Sequence, residues 1–328
     1  MVALSVPVSE IVEAAAEKVR SRYVFPDRGD QAARLLETSF ASGNYDGLDT
    51  ATLCDRITEQ LYEVCADRHL RLRLRAEGFP ETTDPDALKA AWHEQLRLAN
   101  HGVARVERLA GNIGYLDIRL VTDPGVGGAA IAAAMELVSH TYALIIDLRD
   151  NRGGTPEGVI FWCSYLFPDD ETHLNDIFDA ESGLTRQYWS VSYLPGRRYL
   201  DRPVFVLTSG VTFSGGEEFC YNLQSQRRAV LIGETTRGGA HPTDVFPISD
   251  EVEITVPIAR SVNPVTGTNW EGVGVAPDVS VPADAAYDIA YARALQHVLT
   301  QSVPEFITEQ ASSALGELPA AAKKDAQF

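Results

Sequence analysis

The chain has 328 residues, of which 45% are hydrophobic and 23% are charged, and its formal net charge at pH 7 is −18. This length predicts one large domain and a smaller one. The negative charge disfavours nucleic acids and anionic membranes as partners. No stretch approaches 18 apolar residues and the amino terminus lacks a signal-peptide pattern, so we expect a cytoplasmic protein.

The first hundred residues predict mainly helices. Amphipathic segments lie at 9–25, 50–65 and 84–99. Between the second and third, CADRHLRLRLR predicts a helix end followed by an alternating strand, with His69 at the junction. From the residues alone, His69 is either an ordinary surface histidine that pairs with Asp67 or a functional group.

From residue 101 onward, strands alternate with helices, which predicts an α/β core. Residues 101–120 predict a hairpin that turns at 110–112, and 125–140 predict a helix. ALIIDL is typical of a strand buried on both faces, and it ends in the glycine-rich loop RDNRGG. Catalytic loops favour this end of such strands, and no nucleotide-binding glycine pattern is present. Residues 168–202 are predicted to be irregular.

The stretch from Val204 to Pro242 centres on Ser214. VFVL predicts a buried strand, and EEFCYNLQ predicts a helix with Phe219 and Leu223 on one face. A hydroxyl at the start of that helix can attack a carbonyl while the Gly215 amide holds the oxyanion. Alternatively, Ser214 only caps the helix, because SGGE fits a capping box with Glu217.

The predicted domains are a helical cap at 1–100 that carries His69, an α/β core at 101–305, and a tail at 306–328. The four cysteines lie in apolar contexts without CxxC spacing. We therefore expect buried free thiols rather than disulfides or a zinc site. These cysteines are Cys54, Cys65, Cys163 and Cys220.

Three motifs in order, TFSGGEEF, RRAVLIGETTRGGAHP and WEGVGVAPDVSV, resemble the C-terminal processing (tail-specific) peptidases. The resemblance covers roughly residues 9 to 283. It is strongest to the branch that holds the tricorn core peptidases and the modules of interphotoreceptor retinoid-binding protein (IRBP). It implies a crotonase/ClpP-like core with a helical cap. The sequence shows no separate PDZ-like segment, which argues against recognition of C-terminal tails by that route.

The resemblance implies roles for the two glycine-rich loops. Ser214 matches the nucleophile, Gly215 one oxyanion donor, and Gly153 or Gly154 of LRDNRGG the second donor. In the tail-specific branch a lysine acts as base, but Gly239 stands at its place. No lysine occurs between Lys89 and Lys323, which excludes a Ser–Lys dyad.

Two histidines compete for the role of base. His69 matches the tricorn-type base, and Glu271 of NWEGVGV matches the glutamate that orients it. His241, two residues beyond Gly239, is an alternative base or a substrate-site residue. If Glu271 only fixes its loop, Asp67 is a possible orienting acid.

The resemblance therefore implies a serine hydrolase, foremost a peptidase, that uses Ser–His–Glu acyl transfer without a metal or cofactor. One alternative is a non-catalytic module that binds a retinoid or lipid-type ligand. Another is an acyl-transfer or cyclising enzyme in biosynthesis that acts on a small ester or thioester. A retired enzyme has no reason to keep all three catalytic residues, which disfavours the binding module. Neither the substrate, a peptide or a small acyl compound, nor the state of a possible homo-oligomer follows from the sequence.

Overall fold

In a computed structural model of the protein, residues 6–75, 80, 82 and 84–325 are described. The chain forms two compact units, each built from three separate segments. The first contains Met1–Gln95, Asp176–Gln187 and Gly239–Val262; the second contains Leu96–Asn175, Tyr188–Gly238 and Asn263–Phe328. Two later segments thus join the amino-terminal region, in contrast to the contiguous division expected from the sequence, because their strands complete its sheets.

The first unit is a helical layer on a small antiparallel sheet. Its helices are α1 (Val8–Arg22), α2 (Pro26–Ala41), α3 (Thr50–Cys65) and most of α4 (Pro85–Leu98). Its sheet has the order β1 (Arg71–Leu74), β10 (Val252–Pro257) and β9 (Thr243–Pro247). Apolar faces of α1, α2 and α3 pack with Leu72 and Ile254 into one core. The pairing of β1 with β10 explains why residues far apart in sequence share this unit.

The segment predicted to be irregular forms a β-hairpin instead. Its strands are β5 (His173–Asp179) and β6 (Thr185–Trp189), and β11 (Ala259–Val262) pairs antiparallel with β5. The prediction was wrong here because most side chains of β6 are exposed and polar. Such a strand lacks the apolar alternation on which sequence reasoning depends.

The second unit is built on a six-stranded sheet. Its order is β12 (Val279–Ser280), β8 (Val230–Gly233), β7 (Val204–Thr208), β4 (Ala143–Asp147), β3 (Ile113–Ile118) and β2 (Val103–Leu109). All neighbouring pairs are parallel except β2 and β3, which form the predicted hairpin. Every residue of β4 and β7 is buried, as their continuous apolar runs indicate. The α/β prediction is confirmed.

Six helices and a short 3₁₀ turn at Asn100–Gly102 complete the described part of this unit. The helices are α5 (Pro124–Val138), α6 (Pro156–Ser164), α7 (Gly215–Ser225), α8 (Ala286–Leu299), α9 (Glu305–Glu317) and α10 (Ala320–Asp325). Helices α9 and α10 lie in the region that was predicted to be a tail. They are ordered because Ile307, Ala311 and Ala322 pack into the same core as Leu295 of α8.

All four cysteines are free and buried, which confirms the expectation of buried thiols. Burial raises the pKa of Cys54 and of Cys65 to about 11. Within the described ranges, no helix is both long enough and apolar enough to cross a membrane.

Candidate active site

Ser214 lies in the turn between β7 and α7 of the second unit. Its backbone has φ 55° and ψ −121°, a conformation that residues with a side chain rarely adopt. Such a conformation costs about 1–3 kcal/mol and persists only where the surroundings enforce it. A strained serine at a strand-to-helix turn is how other hydrolases expose a nucleophilic hydroxyl. This is a local geometry in which a hydroxyl can act as a nucleophile.

Glu217 is the buried carboxylate that holds this turn. Its Oε2 accepts a hydrogen bond from the Ser214 N–H at 2.9 Å. Its Oε1 accepts from the Gly238 N–H at 2.6 Å and from the Thr236 hydroxyl. The predicted capping box is thus present, but the N–H groups of Glu217 and Glu218 also donate to the Ser214 carbonyl oxygen, at 2.8 and 2.9 Å. The first turn of the helix does not depend on the Ser214 hydroxyl alone, so a capping role does not exclude catalysis.

The glycine loop after β4 lies directly against Ser214. Gly153 and Gly154 have φ of +114° and +144°, a region open mainly to glycine. A Cβ atom on Gly153 would stand 2.8 Å from the Cβ of Ser214. A Cβ atom on Gly154 would stand 1.9 Å from the carbonyl oxygen of Val121. Glycine at both positions is required for this close approach.

The loop and the turn together present two main-chain N–H groups. The Gly153 N–H donates to the Asn151 side-chain oxygen at 2.9 Å. Within the part of the chain that the structure describes, the N–H groups of Gly154 and Gly215 have no acceptor. The Gly154 nitrogen lies 3.1 Å from where a Cβ on Gly215 would stand, so the two amides are neighbours. Paired N–H donors at a helix start are the arrangement that stabilises an oxyanion.

Asn151 is a scaffold residue that the sequence reasoning missed. It is fully buried, and its side-chain NH₂ donates to the Ile118 carbonyl at 2.9 Å. Its own carbonyl accepts from the Phe213 N–H at 3.1 Å. Asn151 therefore joins β3, the glycine loop and the Ser214 turn. The only signal in the sequence is the asparagine of LRDNRGG.

Glu271 belongs to a loop that is anchored in the second unit. It follows Trp270, which is 1% exposed and whose ring centroid lies 5.3 Å from that of Tyr221 in α7. The Gly272 N–H donates to the Gly238 carbonyl at 3.4 Å. Because Gly238 also binds Glu217, one hydrogen-bonded scaffold connects the Ser214 turn with the loop of Glu271.

The two candidate histidines both lie in the first unit, where they meet at Asp67. The side chain of His241 is buried, and its Nδ1 lies 2.7 Å from Asp67 Oδ2. The main-chain N–H of His69 donates to Asp67 Oδ1 at 2.9 Å. His69 is 9% exposed, so it is not the ordinary surface histidine of the simpler interpretation. The pairing of His241 with Asp67 was not foreseen.

Comparisons with known proteins show to which family the chain belongs. Residues 112–281 match the model of Peptidase family S41. The chain belongs to peptidase family S41. Residues 1–100 also match the model described as the N-terminal domain of Peptidase_S41 in eukaryotic IRBP.

Curated S41 relatives are carboxyl-terminal-processing peptidases. The chloroplastic carboxyl-terminal-processing peptidase 2 of Arabidopsis thaliana is 30% identical over 179 residues, which cover 52% of this chain and 32% of that protein. A carboxyl-terminal-processing protease of Picosynechococcus sp. is 29% identical over 140 residues, 43% of this chain and 32% of that protein. The chain thus spans about a third of the length of these relatives.

Solved structures share the fold. The photosystem II D1 C-terminal processing protease aligns with a TM-score of 0.55 and 17% identity, over 94% of this chain and 99% of that chain. The tricorn protease aligns with a TM-score of 0.52 and 15% identity, over 94% of this chain and 37% of that chain. At these identities the likeness concerns the fold alone.

Proposed function

We propose that this S41 chain is a serine peptidase in which Ser214 attacks the scissile carbonyl. The observation that carries the proposal is the strained Ser214 turn with two N–H groups beside it that lack an acceptor. Gly154 and Gly215 would donate to the developing oxyanion, whereas Gly153 is occupied by Asn151. Acyl transfer to Ser214 releases the amine half of the peptide, and water then hydrolyses the ester.

A base must take the proton from Ser214 and return it to the leaving amine. We assign this role to His69 and the orienting role to Glu271, as in tricorn-type members, because the Ser–Lys route lacks its lysine. His241 is the alternative base, since Asp67 already provides a carboxylate at its Nδ1.

The substrate we propose is a peptide, because the curated relatives are processing peptidases. Their names also say that they process carboxyl termini, but this chain matches only about a third of their length, so the site of cleavage is left open. A small ester or thioester would use the same nucleophile and the same donors. A cytoplasmic location stays part of the proposal.

A non-catalytic ligand-binding module is the second candidate. It is favoured by one observation, the match of residues 1–100 to the IRBP-type domain. A binding module has no use for a strained serine beside two N–H donors, so the peptidase is the better conclusion.

Cleavage of a library of internally quenched peptides tests the proposal. The Ser214→Ala variant should lose all turnover and keep its fold, because replacing a capping serine costs only ~1 kcal/mol. Ser21→Ala, in which an exposed hydroxyl of α1 is removed, is the matched control and should cleave normally. Turnover by Ser214→Ala at the wild-type rate would refute the assignment. A wild-type chain that binds retinoids or lipids tightly and cleaves nothing would favour the binding module.

A further inference from the structure

The first unit contains a buried carboxylate, Asp67, that the Ser214–His69–Glu271 assignment does not use. Asp67 is 1% exposed and follows the carboxyl end of α3. It accepts hydrogen bonds from the Tyr23 hydroxyl at 3.3 Å and the His69 N–H at 2.9 Å, and His241 Nδ1 lies 2.7 Å away. These partners offset the cost of burying the carboxylate, since an unpaired buried carboxylate would be strongly destabilising.

These contacts determine which nitrogen of His241 carries a proton. An ionised carboxylate can only accept, so the nitrogen that faces it must donate. The Nδ1 of His241 therefore carries the proton, and Nε2 is the basic nitrogen of the neutral ring. Burial and the neighbouring Asp67 raise the pKa of Tyr23, so its hydroxyl stays a donor.

The chain around His241 is also fixed. The Ala240 carbonyl accepts from the Ser261 N–H at 3.2 Å. The Pro242 carbonyl accepts from the Ile258 N–H at 3.0 Å. The ring of Phe25 stands edge-on to the His241 ring, with 5.4 Å between centroids. The imidazole is thus held by its chain, by an aromatic wall and by a carboxylate.

The main chain of His69 is held from two sides. Asp67 accepts from its N–H, and its carbonyl oxygen accepts from the Thr255 hydroxyl of β10. One carboxylate therefore sets the main chain of one histidine and the ring of the other.

We propose that Asp67 is a positioning residue of this hydrolase, which fixes the Nδ1–H tautomer of His241 and the main chain of His69. This inference rests on the proposed function. It assigns a role to Asp67 whichever histidine serves as base, because both depend on the same carboxylate.

The variant Asp67→Asn separates this role from a structural one. The introduced amide has one acceptor oxygen and one NH₂ donor. The His69 N–H can only donate, so it retains the oxygen, and the NH₂ faces His241. The His241 ring can then accept from this NH₂ at Nδ1 if its own proton moves to Nε2. The same change of tautomer occurs in a triad whose aspartate is replaced by asparagine.

The test is ¹⁵N NMR of protein labelled at histidine, with the His241 signals assigned by their loss in His241→Gln. Wild type should show the Nδ1–H tautomer, and Asp67→Asn should show Nε2–H. Asp49→Asn, which removes an exposed charge and keeps a good N-cap, is the matched control and should resemble wild type. A wild-type Nε2–H tautomer contradicts the proposal even if Asp67→Asn does not fold.

A second readout is the rate at which a fluorophosphonate modifies Ser214. If His241 is the base, Asp67→Asn should react at least ~10-fold more slowly than Asp49→Asn, since the imidazole would present the wrong nitrogen. An unchanged tautomer in Asp67→Asn would overturn the proposal whichever histidine is the base. A wild-type chain that is not modified at Ser214 would instead refute the hydrolase, and the tautomer measurement would still judge Asp67.

Discussion

Each unit of this molecule contains a buried carboxylate beside the proposed catalytic residues, and the two carboxylates bind different kinds of partner. Glu217 in the second unit binds the N–H groups of Ser214 and Gly238. Asp67 in the first unit binds a histidine ring as well as a main-chain N–H. A main-chain N–H has one role, whereas an imidazole can exchange donor and acceptor nitrogens.

Because their partners differ, the two carboxylates control different properties of the site. Glu217 stabilises a strained backbone, so its loss should appear as instability and misplacement of Ser214. Asp67 fixes a proton, so its loss should appear first as a change of tautomer. Substitutions in each unit test this distinction.

The largest effect should come from the histidines that surround Asp67. If His69 is the base, His69→Gln should slow fluorophosphonate labelling of Ser214 by ~10⁴-fold, because the hydroxyl proton then has no acceptor. His241→Gln should slow it less, by ~100-fold or below. Rates are measured side by side at one pH. The reverse order would make His241 the base, with Asp67 as the carboxylate that orients it.

Glu271→Gln should have the next largest effect. The amide keeps one acceptor oxygen but loses the charge that favours the imidazolium formed during attack. We expect labelling to fall by ~100-fold or more, with unchanged thermal stability. Glu309→Gln on the exposed face of α9 is the control for loss of a charge. Equal rates in the two variants would make Glu271 a loop residue and leave Asp67 as the orienting acid.

Glu217→Gln sharpens the contrast with Asp67. The introduced NH₂ must face an N–H or a hydroxyl, and a main-chain N–H cannot become an acceptor. We expect a loss of about 1–3 kcal/mol in unfolding free energy from one unpaired buried donor. Labelling should fall about 10-fold through misplacement of Ser214. Urea unfolding measures the unfolding free energy, and fluorophosphonate labelling measures the reactivity of Ser214. A variant that is as stable as wild type and labels at the wild-type rate would show that the Ser214 turn does not depend on the Glu217 carboxylate.

The smallest effect on activity should come from Glu218, the neighbour of Glu217 in α7. Burial raises the pKa of Glu218 from its ordinary value of 4.5 to about 8. Between these values the folded chain binds a proton that the unfolded chain has lost, so stability falls as pH rises from 4.5 to 8.

Glu218→Gln should remove this slope and increase unfolding free energy at pH 7 by on the order of 3 kcal/mol. At pH 4 the variant and the wild type should unfold alike, because both states of the wild type are then protonated. Urea unfolding of both proteins from pH 4 to 8 makes the measurement. If the unfolding free energies of the two proteins change in parallel with pH, the pKa of Glu218 is not raised in the folded chain.

The sequence predicts those features whose partners are close along the chain. The Ser214 turn, its capping box with Glu217, and the glycine loop after β4 each depend on residues within a few positions. The contact of Asp67 with His241 spans 174 positions and depends on the pairing of β1 with β10, which no local pattern indicates. The choice of Gly154 rather than Gly153 as the proposed second donor depends on the hydrogen bond that the Gly153 N–H donates to the Asn151 side-chain oxygen.

The most direct test of the central claim is mass mapping after treatment of the wild-type chain with a fluorophosphonate. The account predicts one modified residue, Ser214, and no modification of Ser214→Ala under the same conditions. A folded wild-type chain that stays unmodified, or one that is modified at another serine, would contradict it.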